Sequence, residues 1–164
     1  MTDADFSLLI TANNGHKFSH SRGTSTATTV YRSASTSKWV TAAVILSLVE
    51  DGILSLDDHP QNFISTWPTS GNLSQIQLRH LLAFTSGLSE EPLCINGPLQ
   101  DFASCVDQIA TLNAGAPTPG TEFYYSSSHL QVAGQMAVRA AAAADRTPAR
   151  EAQSCLAPRS EQPG

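Results

Sequence analysis

The chain is 164 residues long, close to the ~150 of an average domain, and its 41% hydrophobic content with ten glycines is that of an ordinary globular protein rather than a disordered one. Nine basic residues against fourteen acidic ones leave a net charge of -5, so the surface repels phosphate backbones and anionic lipid, and nucleic acid is not an expected partner. The longest apolar stretch, Trp39 to Val49, is 11 residues, short of the ~20 of a membrane span, so it reads as a core helix.

The start, Met1-Thr2-Asp3-Ala4-Asp5, lacks the basic residues and long apolar segment of an export signal. No signal peptide is expected, and the compartment is left open. Asp5 to Thr11 and His16 to His20 flank Ala12-Asn13-Asn14-Gly15, which predicts a hairpin with Phe6, Leu8 and Ile10 on one face. Thr28 to Ser33 reads as another short extended run. From Ser35 the period changes, because Trp39, Ala42, Ala43, Leu46 and Val49 recur at three and four before Gly52, predicting a helix with those residues as its core stripe. Asp57-Asp58 lies in a turn-rich segment. A second helix is predicted from Ser74, with Leu78, Leu81 and Leu82 buried and Gly87 as its cap. A third runs through Phe102 to Ala110, and a fourth through Leu130, Ala133, Gly134 and Ala137. Strands followed by helices give the fold class α+β. The alanine-, proline- and arginine-rich end from Arg139 buries too little to offset its ordering entropy, so disorder is expected beyond the alanines.

There are three cysteines. Cys94 and Cys105 either bridge or remain two buried thiols, and Cys155 lies in the tail. No H-x-x-x-H, C-x-x-C or clustered carboxylates suggest a metal, and no cofactor is expected. His80, beside Leu81-Leu82, reads as a packed helix histidine, and His129 falls on the fourth helix.

Ser35-Thr36-Ser37-Lys38 places a hydroxyl and an amine one helical turn apart at the amino end of an apolar helix. Desolvation and the positive helix terminus both favour a neutral amine there, able to take the serine proton. The backbone N-H of Ser35, at a helix start, is available as one oxyanion donor. Taken alone, the tetrapeptide also fits a serine N-cap followed by a surface lysine. Three further segments accompany it in order: Gly52-Ile53-Leu54-Ser55-Leu56-Asp57-Asp58, then Ile76 to Leu88 with Leu78-Arg79-His80-Leu81-Leu82 and Thr85-Ser86-Gly87-Leu88, then Pro119-Gly120-Thr121-Glu122-Phe123-Tyr124-Tyr125-Ser126-Ser127. Together they resemble the class C β-lactamase and penicillin-binding-protein-like serine hydrolases over residues 5 to 139.

The resemblance implies Ser35 as nucleophile, Lys38 and Tyr125 as proton carriers, and Ser127 at the substrate-binding position usually held by asparagine. A hydroxyl is shorter than an amide and cannot pair with a substrate amide in the same way. The implied substrate is a small molecule or peptide carrying a lactam, amide or ester. The fold expected is a partial β-lactamase/transpeptidase-like one: an incomplete domain over 1–139 with hairpin and helices but without carboxy-terminal strands, and a tail over 140–164. No Lys-Thr-Gly or His-x-Gly triplet follows residue 127, so half of the family's oxyanion hole is missing from this chain. The competing reading is a non-catalytic remnant that binds a partner along an exposed strand edge. Oligomeric state is not legible in the sequence.

Overall fold

The computed structural model describes residues 4–97 and 101–155, which fall into two compact units, Met1–Thr36 and Ser37–Gly164. In the first unit β1 (Phe6–Thr11) pairs antiparallel with β2 (Lys17–Arg22), in register from Phe6 opposite Arg22 to Thr11 opposite Lys17. The predicted Asn-Gly reversal is present: Gly15 sits at φ 83° and donates its N-H to Ala12 O at 2.9 Å. Asp5 closes the open end, accepting the Thr24 N-H at 3.0 Å and its hydroxyl at 2.5 Å, and these bonds hold its carboxyl below the ordinary range. The expected buried face does not form. Phe6, Leu8 and Ile10 are 41%, 43% and 53% exposed, because this unit offers the ribbon no second layer.

The run Thr28 to Ser33 is not a strand. Thr29 N-H bonds Thr26 O at 3.1 Å and the Thr26 N-H donates to Thr29 Oγ1 at 2.8 Å, so hydroxyls capture the backbone groups a ladder needs. A single 3-10 turn, Ala34–Thr36, ends the unit.

The second unit is helical. Its elements are α1 (Ser37–Glu50), α2 (Leu78–Leu82), α3 (Phe102–Leu112) and α4 (Ser128–Cys155), with short 3-10 turns between them. In α1 the residues turned inward are Ile45, 1% exposed, and partly Thr41, Ala42, Leu48 and Val49, while Trp39 is 66% exposed and Leu46 and Ala43 also face out. The helix is apolar around most of its circumference, so of the expected stripe only Ala42 and Val49 turn partly inward.

The second predicted helix is split. Asn72–Gln75 forms a 3-10 turn, Ile76 is extended, and α2 starts only after Gln77, whose N-H is capped by His80 Nδ1 at 3.1 Å. At the other end Phe84, at φ 58°, takes the left-handed position where Gly87 had been expected as the cap. Asp101 opens α3, accepting the Ser104 N-H at 2.8 Å. The longest helix, α4, packs against α1, α2 and α3 through Val132, Ala133, Met136 and Ala140. Facing it are Leu78 and Leu81 of α2, and Val106 and Ile109 of α3, all fully buried. Trp67, 2% exposed, closes the core and donates its indole N-H to Leu73 O at 3.0 Å.

The backbone of α4 stays helical through Cys155, past the alanines where disorder had been expected. The alanine run, with the highest helix propensity, continues a helix already anchored by packing, whereas Pro148 in the last turns opposes helix and propensity does not account for them. The rest of the tail lies outside the described residues.

Candidate active site

Ser35 lies in the 3-10 turn Ala34–Thr36, which runs directly into α1 at Ser37. The residue before it, Ala34, is held at φ 42° in the left-handed region, a local strain of the sort found where a side chain must be aimed. Ser35 is exposed and Lys38 half-buried.

Lys38 and Tyr125, far apart in the chain, are brought together within the second unit. Lys38 Nζ stands 5.3 Å from the centre of the Tyr125 ring. Tyr125 itself is 55% exposed, so burial does not fix its direction. Phe84 does: the two rings stack with centres 5.3 Å apart and planes 19° from parallel. The Phe84 carbonyl accepts the Tyr124 N-H at 2.9 Å, tying the loop before α4 to the turn after α2.

Ser127 takes a structural bond, donating its N-H to the carboxylate of Glu91. The next residue, Ser128, donates its hydroxyl to Glu90 O at 2.7 Å. Asn113 in turn grips Glu90 from both sides, accepting its N-H at 2.9 Å and donating to its carbonyl at 3.1 Å. The start of α4 is thus held against the Glu90-Glu91 segment, and the Glu91 carboxylate complements the helix terminus.

Behind Tyr125 lies a pair the sequence did not suggest. Ser86 and His129 are both fully buried, with Ser86 Oγ 2.8 Å from His129 Nδ1 and His129 Nε2 2.8 Å from Tyr124 O. Burial depresses the His129 pKa, against the pull of its bond to Tyr124 and the nearby Glu91 charge. Nothing in the sequence signals this contact, because Ser86 and His129 lie on segments that meet only through tertiary packing. His80 is likewise held below its ordinary value, first by burial and then by Arg79 and His59. Its place is the α2 cap, in keeping with a packed histidine. Asp57 pairs with Arg79, which bridges the Asp57-Asp58 turn to α2.

The structure joins Cys94 to Cys105, with Cα atoms 5.6 Å apart. Among the described residues no three His, Cys, Asp or Glu side chains are grouped to hold a metal ion, and no helix is long and apolar enough to cross a membrane.

The Beta-lactamase family model matches residues 6–153, which extends past residue 139, where the motif resemblance ended. A candidate beta-lactamase from Bacteroides dorei DSM 17855 is similar in structure at 32% identity and a TM-score of 0.66, covering 84% of this chain and 41% of its own. The octameric penicillin-binding protein homologue from Pyrococcus abyssi is similar at 23% identity and a TM-score of 0.57, over 66% of this chain and 27% of its own. The chain therefore spans less than half the length of either structure. No curated protein matches it.

Proposed function

Because the chain belongs to the beta-lactamase family, and its fold is a partial α+β form of that family's, we propose that it is a serine hydrolase that acylates Ser35 with a lactam, amide or ester. The observation that supports this reading is the approach of Lys38 to Tyr125, 5.3 Å from Nζ to the ring centre, near the start of the helix that follows Ser35.

The chemistry runs in two steps. Ser35 Oγ attacks the carbonyl carbon while Lys38 Nζ takes its proton. The carbon–nitrogen or carbon–oxygen bond then breaks, and the leaving group receives a proton through Tyr125. Water next attacks the acyl ester, giving its proton back through the same groups and restoring the Ser35 hydroxyl. Ser127 falls in the motif position usually held by asparagine, and a hydroxyl there suits peptide and ester substrates as well as lactams.

Removing one oxyanion donor costs about 100- to 1000-fold in rate, and the triplet that supplies the second donor in this family is absent after residue 127. The 164-residue chain on its own is therefore expected to acylate without rapid turnover. Incubation with a fluorescent penicillin followed by mass spectrometry tests this. The expected result is one adduct on Ser35, lost in Ser35→Ala and strongly reduced in Lys38→Ala. An adduct that persists in Ser35→Ala, or none in the parent chain, would overturn the assignment, and the second outcome would favour a non-catalytic binding module.

A further inference from the structure

Tyr124 is held through both of its backbone polar groups. The Tyr124 N-H goes to the carbonyl of Phe84 at 2.9 Å, and the Tyr124 carbonyl receives a bond from His129 Nε2 at 2.8 Å. A carbonyl oxygen only accepts, so Nε2 carries the imidazole proton. Nδ1 is then bare and accepts from the Ser86 hydroxyl 2.8 Å away. The tautomer is therefore dictated by its two partners. Ser86 and His129 are both buried to 0% exposure, so water does not compete for either bond. Phe84 completes the arrangement, because its ring meets His129 edge-on at 5.1 Å and stacks on Tyr125 at 5.3 Å. Phe84 stays at φ 58°, a conformation that costs an aromatic residue energy, and these contacts hold it there.

We propose that His129, oriented by Ser86, is a positioning residue for Tyr125: it fixes the Tyr124–Tyr125 peptide, and through Phe84 the tyrosine ring, so that an otherwise exposed side chain keeps its place beside Lys38. This rests on the reading of Tyr125 as a proton carrier. The histidine touches neither Lys38 nor substrate in this scheme and acts only through the peptide it holds.

The two amide variants separate the two bonds. In His129→Gln the carboxamide reaches the place of Nε2 and can still donate to Tyr124 O, whereas in His129→Asn it reaches only the place of Nδ1 and keeps the Ser86 side alone. Two readouts follow each variant: the rate of Ser35 acylation by fluorescent penicillin, and the 19F shift of 3-fluorotyrosine at position 125. The chain has three tyrosines, so Tyr31→Phe and Tyr124→Phe assign the resonances. In the parent protein the stacked Phe84 ring displaces the Tyr125 signal from its unfolded position.

His129→Asn should collapse that displacement and slow acylation about 10- to 100-fold, the scale of a 1 Å misplacement, while His129→Gln restores both. Equal impairment in both variants, or an unmoved Tyr125 signal in His129→Asn, would overturn the proposal. If the asparagine variant does not fold, 15N shifts of the parent imidazole decide instead, since a proton on Nδ1 contradicts the geometry and one on Nε2 supports it. A parent chain that is never acylated would sink the hydrolase reading, yet the fluorine signal would still report whether His129 sets the Tyr125 ring.

Discussion

Gly87 shows how a single hydrogen atom decides a turn. Its φ is 83°, and a Cβ there would lie 3.0 Å from the Pro117 carbonyl and 3.1 Å from Pro117 Cδ. Gly87→Ala meets both a left-handed backbone and a rigid neighbour, so it should destabilise the fold by more than ~1 kcal/mol, read as a lower urea midpoint with unchanged slope. An unchanged midpoint would mean that the Pro117 segment gives way. Three residues earlier Phe84 adopts a similar conformation without glycine's freedom. The sequence singled out Gly87 for the helix cap because glycine advertises a positive φ, whereas an aromatic residue does so only through partners such as Phe123, Tyr125 and His129, which tertiary packing supplies. The same asymmetry holds at the candidate site. Ser35, Lys38, Tyr125 and Ser86 all lie in motifs that the sequence displays, but the meeting of Ser86 with His129 is made by tertiary packing alone.

Among the elements, the hairpin turn, α3 and the existence of α1 and α4 followed from local chemistry: Asn14-Gly15 and the apolar runs. What did not follow was which side of α1 is covered, since Val40, Val44 and Leu46 are nearly as apolar as Ile45 and yet are 49%, 58% and 46% exposed. The Cys94–Cys105 link joins the turn Leu93–Asn96 to α3. It closes a short loop, and reduction should cost about 2 to 3 kcal/mol by restoring freedom to the unfolded chain. Urea unfolding with and without reductant measures this, and superimposable curves, or peptide mapping that finds both thiols free in oxidised protein, would refute it.

At the scale of the molecule, two histidines link folding to pH. His80 and His129 both have folded values below the ordinary 6.5, burial being the largest cause for each. The unfolded chain then binds protons that the folded one refuses, so stability rises with pH across the interval between folded and unfolded values. Stability should be fully present above pH ~6.5 and should fall as the pH drops through the folded values. Asp5 and Asp101, held below their ordinary value chiefly by Thr24 and Ser104, extend the loss into the carboxylate range. Denaturant midpoints measured from pH 7.5 to 4 check the sign. A midpoint that climbs on acidification to pH 5.5 would contradict it, and His129→Gln should flatten part of the slope.

The contrast between the two tryptophans makes the molecule its own fluorimeter. Trp67 is sealed in the core, 2% exposed, and Trp39 is 66% exposed one residue beyond Lys38. The first should emit in the blue and resist iodide; the second should emit to the red and be quenched freely. Trp39→Phe would leave a lamp that dims only when the core opens, and Trp67→Phe one that watches the entrance to α1, so global unfolding and local change beside Lys38 become separable by wavelength alone.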